Sequence, residues 1–267
     1  MRPSHSIESR IQERFGRAAA AYAVSPVHRG GPDLEAMLAA AKLEGRERVL
    51  DLGCGPGHTA LAFAPRAAQV VALDLTEGML AQGRRLAEER GLRNLRFERG
   101  DAARLPFADG SFERVTSRLS AHHYADPAAV LREVARVLTE DGAFLLVDCV
   151  APPDPARDSF LNAFEMLRDP SHVRDHSVAQ WCAMLRAAGL EPEVLGSFTI
   201  HQEFLPWVER IGTSPGAVTG LRALFDEAPE EVRGAFGIRG DGHYDFRLEL
   251  ALIRGVRQRL RPAERTM

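Results

Sequence analysis

The 267 residues include 45% hydrophobic and 27% charged positions, with 34 basic side chains against 37 acidic ones and a formal net charge of −3. That composition is ordinary for a globular protein and excludes a disordered, collagenous or coiled-coil chain. No Lys/Arg run stands apart from neighbouring acids, which argues against a nucleic-acid partner. The charged start MRPSHSIESRIQERF and the lack of an apolar run of about 20 residues predict a cytoplasmic protein with no membrane partner.

In chain order, residues 7–22 and 31–43 read as helices, the second with Asp33 near its start and Leu34, Met37, Leu38 and Ala41 on one stripe. A short apolar strand at 49–52 then feeds a glycine turn and a helix from His58. Strands are predicted at 69–75, 94–100 and 112–119, with a helix over 76–90. Asp126 caps a helix opened by Pro127, carrying Val130, Val134, Val137 and Leu138 on one face, and Asp141-Gly142 turns into a fifth strand over 143–150.

Beyond residue 150 the pattern is less regular. Helices are predicted over 155–168 and 177–190, the latter closed by Gly189, then a sixth strand at 193–200 and a mostly helical stretch at 202–236. A seventh strand within 243–256 should pair antiparallel at the sheet edge or beside it. These elements predict one α/β domain around a doubly wound, mostly parallel seven-stranded sheet. The ligand site should lie beyond the strand C-termini, with 151–190 and 202–236 as insertions covering it. Phe63, Val71, Leu73, Phe97, Val115, Leu145 and Val147 are the expected core.

DLGCGPG places Gly53, Gly55 and Gly57 in one turn between strand and helix, where the backbone can approach a ligand closely. The dinucleotide fingerprint is GxGxxG, whereas this turn reads GxGxG, which weighs against a nicotinamide cofactor. Asp74 closes the second strand 21 residues after Gly53, where a carboxylate can accept both hydroxyls of a ribose. Gly100-Asp101-Ala102 follows the third strand, so Asp101 can accept from an adenine amine while Ala102 leaves its N–H free. Three acids at strand ends, Asp51, Asp74 and Asp101, suit a ligand with amino and hydroxyl groups and no phosphate. Asp51 either organises the turn through backbone N–H groups or touches the ligand, and both can hold. Cys54 in the turn is explained by close packing, with a reactive thiol as the alternative. With Cys149 and Cys182 it makes three widely spaced cysteines, as expected of reduced thiols.

At these residues the chain resembles the class I S-adenosylmethionine-dependent methyltransferases of the small-molecule, quinone C-methyltransferase-like branch, over residues 46–150. The resemblance implies a Rossmann-like core there, N-terminal lid helices in 1–45, and substrate-covering insertions with the last two strands in 151–267. It implies that the cofactor S-adenosyl-L-methionine, leaving as S-adenosyl-L-homocysteine, is held by Tyr22, Asp51, Gly53, Gly55, Gly57, Asp74, Leu75, Met79, Gly100, Asp101, Ala102 and Ser117. FGRAAAAY, with Phe15 and Tyr22, resembles the family's lid helix. Tyr22 either faces the sulfonium or is a core aromatic.

The expected reaction is in-line transfer of a methyl group to O, C or N of a small organic acceptor, with a positioned base where the acceptor must lose a proton. His122 and His123, after the fourth strand, are the catalytic candidates; the alternative is a pocket wall. Arg118 and the segment Arg168–His176, with Arg168, His172 and Arg174, are the candidate acceptor contacts. The alternative for that segment is a salt-bridged cap and turn, with Ser177 capping the next helix. His201, Arg239, His243 and Tyr244 can line the far side. No metal site is expected from the histidine spacing. A monomer or homodimer is expected. The rival functions are a cofactor-retaining protein that cyclises, rearranges or senses, and an NAD(P)-dependent oxidoreductase.

Overall fold

The computed structural model describes residues 6–239, 242 and 244–257; His243 and the first five residues lie outside them. Seven strands form one sheet: β1 (Arg48–Leu52), β2 (Gln69–Asp74), β3 (Leu95–Arg99), β4 (Phe112–Arg118), β5 (Leu138–Cys149), β6 (Leu190–Gln202) and β7 (Phe246–Arg257). Their order is β3-β2-β1-β4-β5-β7-β6. The first five are parallel, and β7 runs antiparallel between β5 and β6. Strand order reverses between β1 and β4, where an open α/β sheet leaves a crevice beyond its strand ends.

Both faces are covered, so adjacent residues of the inner strands are buried on opposite sides. Val49, Val70, Leu145 and Val147 join one apolar cluster, and Leu50, Val71, Phe144 and Leu146 the other. Of the seven expected core residues six are fully buried. Phe97 is partly buried, its ring lying 2.7 Å from where a Cβ on Gly57 would stand and 2.3 Å from one on Gly83. Two helices therefore approach β3 closely only as glycines.

The N-terminal helices are α1 (Ile7–Val24), α2 (Pro26–Arg29) and α3 (Pro32–Ala40). The core helices are α4 (His58–Phe63), α5 (Glu77–Glu89) and α6 (Pro127–Val137), the last capped by Asp126 as its sequence predicts. Then come α7 (Pro155–Arg168), α8 (Val178–Ala187), α9 (Phe204–Ile211), α10 (Pro215–Glu227) and α11 (Glu230–Phe236). Strand β5 begins five residues before the expected start, because Leu138 pairs with Phe112 and the Asp141-Gly142 turn is absorbed by a register shift.

The expectation that all of 151–190 covers the site is corrected by α8. That helix packs on β6 and α6, burying Trp181 and Leu185 with Val130 and Val134, and so completes a sheet face. Helices α7, α10 and α11 pack on the other face around Phe160, Phe164, Phe225 and Phe236, while α9 leans on α1. Among the described residues no helix is long and apolar enough to cross a membrane.

Candidate active site

A cavity of about 350 Å³ opens beyond the ends of β1, β2 and β4, roofed by Ile7, Ile11, Phe15 and Tyr22 of α1. Gly53 and Gly55 line it with φ of +59° and +53°. A Cβ on Gly53 would sit 2.7 Å from Ser120, whereas one on Gly55 would meet nothing within 4 Å and project into open space. The turn therefore presents bare backbone to a ligand.

Asp51 stands behind this turn and does not line the cavity. It is 1% exposed; Thr116 Oγ1 donates to its Oδ1 at 2.8 Å and the Ala60 N–H to its Oδ2 at 3.2 Å. Burial pushes its carboxyl up to about 7. Its position fits the turn-organising alternative. Gly57 and Ser117 also lie outside the cavity lining: Gly57 packs on Phe97, and Ser117 Oγ shares hydrogen bonds with Ser120 and Tyr124. Cys54 lines the cavity, but burial first and then Asp74 push its thiol well above the usual range, as packing implies.

Asp74 accepts the Gly55 N–H on Oδ2 and the Thr76 N–H on Oδ1, both at 2.8 Å. Each oxygen keeps acceptor capacity toward the cavity it lines. Asp101 accepts the Ala103 N–H on Oδ1 at 2.8 Å, and its Oδ2 has no partner among the described residues. Leu75, Met79, Gly100, Ala102 and Tyr22 complete the wall with them. Two strand-end carboxylates and the open cradle at Gly55 fit an adenosyl cofactor with free ribose hydroxyls and an amino group.

Arg118 touches the cavity yet is occupied as a clamp. Its Nε donates to Asp33 Oδ2 at 2.6 Å, and its terminal nitrogens donate to the carbonyls of Val27, His28 and Gly30. Side-chain exposures of 3% and 6% make Arg118–Asp33 a buried ion pair tying the N-terminal helices to β4. The acceptor-binding role expected of Arg118 is replaced by this positioning one, since four guanidinium donors already have partners.

The two adjacent histidines differ in charge. His122 Nδ1 lies 2.7 Å from Asp148 Oδ1, and the same carboxylate accepts the His122 backbone N–H. Burial opposes the charge, but Asp148 outweighs it and holds the imidazolium up to about 9. His123 Nδ1 lies 2.9 Å from the Ser171 carbonyl, and burial with the neighbouring His122 charge lowers it to about 4. A carbonyl only accepts, so His123 carries its proton on Nδ1 and leaves Nε2 as a free acceptor. His123 lines the main cavity; His122 does not.

A smaller cavity of about 60 Å³ adjoins the first, sharing Phe15, Tyr22, His28, Leu119 and His123 with it. His122, Glu165, Arg168, Trp207 and Arg210 close its far side. Arg168 donates to the Trp207 carbonyl at 3.3 Å and to Tyr22 Oη at 3.4 Å. His172 and Arg174 line neither cavity. His172 Nε2 donates to Asn162 Oδ1 at 3.2 Å, and Arg174 grips both oxygens of Asp158, so this part of the segment forms a structural turn. Ser177 caps α8 with a reciprocal bond from Gln180, as expected. Nor do His201, Arg239 and Tyr244 line either of these two cavities; Tyr244 donates to Asp226 at 2.9 Å.

The sequence reading missed Asp148, Glu165 and Arg210. Asp148 was findable, as a fourth acid at a strand end; the other two meet only through packing of α7 and α9. His122, Asp148 and Asp175 also bring ligand-type atoms within 4.8 Å of one another, a grouping that sequence spacing does not reveal.

Residues 50–146 match the methyltransferase domain family. Over 247 residues the chain is 38% identical to an uncharacterized methyltransferase of Bacillus subtilis, YcgJ, spanning 91% of this chain and 98% of that one. The crystal structure of the YcgJ protein superposes with a TM-score of 0.83, covering 85% of this chain and 99% of that chain. The protein YafE of Escherichia coli is 38% identical over 72% of this chain and 93% of its own. A demethylmenaquinone methyltransferase of Thermus thermophilus is 42% identical over 41% of this chain and half of its own. The chain therefore belongs to the methyltransferase family, in its class I S-adenosylmethionine-dependent form.

Proposed function

We propose that this chain binds S-adenosyl-L-methionine in the larger cavity and transfers its methyl group to O, C or N of a small organic acceptor entering by the smaller one. The carrying observation is the bare Gly53–Gly55 cradle facing Asp74 and Asp101 across one cavity. Bound there, the cofactor supplies an electrophilic methyl group on its sulfonium. Asp74 accepts the ribose hydroxyls, Asp101 accepts from the adenine amine, and Leu75 and Met79 pack against the apolar parts.

The chain's other task is positioning and exclusion of water. Phe15 meets His123 edge-on at 5.0 Å and Tyr22 at 5.3 Å, and the three rings line the junction of the two cavities. His123, neutral with a free Nε2 at that junction, takes the proton an acceptor must lose. His122, positively charged, positions its neighbour and is not a base. Arg168 reaches the acceptor from the smaller cavity. Conversion of a quinone, as named for the Thermus relative, is one candidate reaction within this class.

Calorimetric titration with S-adenosylmethionine, S-adenosylhomocysteine and NADH tests the cofactor assignment. Binding of the first two alone is expected, followed by acceptor products heavier by one methyl. NADH binding alone, or mass-neutral products, overturns the proposal.

A further inference from the structure

The smaller cavity contains a cation without a counterion. Arg210 of α9 lines it half-buried, and its guanidinium makes no hydrogen bond or ion pair with any described residue. Arg168 stands in the same cavity, its guanidinium carbon 5.0 Å from the Trp207 ring centroid. Glu165 is the acid lining this cavity, 3.8 Å from Arg168, and burial raises its pKa, which weakens it as a counterion. Burial lowers the Arg210 pKa; Tyr22 and Glu165 oppose the shift, and the like charge of Arg168 adds to it. His28, on the shared wall, is kept neutral by burial and by Arg210, and His122 adds a positive charge on the far side.

A half-buried guanidinium beside another is unfavourable on its own and becomes favourable once an anion bridges them. Phe15, Leu119, Ile200, Trp207 and Leu248 supply apolar walls, with Gln202 as a further polar group. The volume, about 60 Å³, holds only about four or five heavy atoms, at roughly 10 to 15 Å³ for a water-sized group. A carboxylate with its attached carbon fits, with the ligand body reaching back past Phe15 and His123 to the main cavity.

We infer that the smaller cavity is a carboxylate seat formed by Arg210 and Arg168, and that the methyl acceptor is a small organic acid anchored there by its anionic end. This rests on the proposed methyl transfer only in calling the ligand an acceptor; the seat itself is tested by binding.

The probes are acetate and benzoate, with benzamide as the neutral isostere and inorganic phosphate as a competing anion. Each is titrated at constant ionic strength into the protein, alone and saturated with S-adenosylhomocysteine. The expected result is saturable benzoate or acetate binding with benzamide at least about tenfold weaker, as for a lost charge-assisted pair. Arg210→Gln should weaken the carboxylate about tenfold or more, and Arg210→Lys should restore part of it. Far-ultraviolet circular dichroism of each variant checks folding; Arg210 has no internal partner to lose. Equal binding of benzamide, preference for phosphate over both carboxylates, no saturable carboxylate binding, or unchanged affinity in Arg210→Gln each overturns the inference. Failure of S-adenosylhomocysteine to bind, with an Arg210-dependent carboxylate site intact, would instead overturn the cofactor assignment and leave the seat standing.

Discussion

His122 Nδ1, in the short turn after β4, and Asp148 Oδ1, near the end of the neighbouring parallel strand β5, stand 2.7 Å apart, with Asp148 almost wholly buried. The pair holds a positive charge beside His123, and that charge helps keep His123 neutral. The carboxylate holds the charge on His122, while burial and then that charge keep the next residue neutral.

The pair has a pH signature of definite sign. His122 is raised from 6.5 to about 9, so its stabilisation is complete below about pH 6.5 and is lost as pH rises through 9. His122→Gln should be destabilised most at and below pH 6.5, and its deficit against the parent should shrink by about 3 kcal/mol by pH 9. Urea unfolding of both proteins from pH 6 to pH 9.5 measures this. A deficit independent of pH would show that His122 is not charged in the native state.

Gly55 separates backbone strain from ligand exclusion. Its φ is +53° and a Cβ there would enter the cavity, whereas Gly91, at φ +65° after α5, would also project into open space but lines neither cavity. Gly55→Ala and Gly91→Ala should each cost about 1 to 2 kcal/mol of stability, as left-handed alanine does. Only Gly55→Ala should weaken S-adenosylhomocysteine binding, by about tenfold or more. Equal affinity in the two variants would move the cofactor away from the turn.

Much of the sheet could be read from the sequence because a parallel strand buried on both faces is a short apolar run, and the ends of β1, β2, β3 and β5 carry a glycine or an acid. Asp126-Pro127 and Ser177 likewise announced their helices through local hydrogen bonds. What escaped depends on contacts between distant segments. Arg118 resembles an acceptor contact until Asp33, 85 residues away, is seen to neutralise it. His122 and His123 are indistinguishable until Asp148 and Ser171 arrive from β5 and the 169–176 turn. Arg210 lies on an amphipathic helix with no motif around it, and only the fold turns it into the cavity.

The Arg118–Asp33 clamp should govern both stability and cofactor retention. Removing one partner leaves an uncompensated buried charge, at a cost of about 3 to 5 kcal/mol. Asp33→Asn and Arg118→Met should therefore each lower the unfolding free energy by that order. The double variant should recover part of the loss, since it strands no charge. Additive losses in a denaturant double-mutant cycle would show that the two side chains do not act as a pair.

His123 is expected to matter to turnover and not to cofactor affinity. Its Nδ1 proton is fixed by the Ser171 carbonyl, and its free Nε2 has a pKa lowered to about 4, so the basic form predominates from about pH 5 upward. For an acceptor that loses a proton, kcat/KM should fall on the acid side near pH 4 and stay level through neutrality, provided the acceptor does not titrate there. His123→Gln should reduce turnover by about 10² to 10⁴-fold, the usual contribution of a general base. Its affinity for S-adenosylhomocysteine should stay within about twofold, because neither Asp74 nor Asp101 depends on this ring for its hydrogen bonds. Nitrogen-15 imidazole shifts provide a readout independent of activity: His123 should give a neutral Nδ1–H tautomer at pH 7 and His122 an imidazolium. The reverse assignment would exchange their roles and make His122 the proton acceptor.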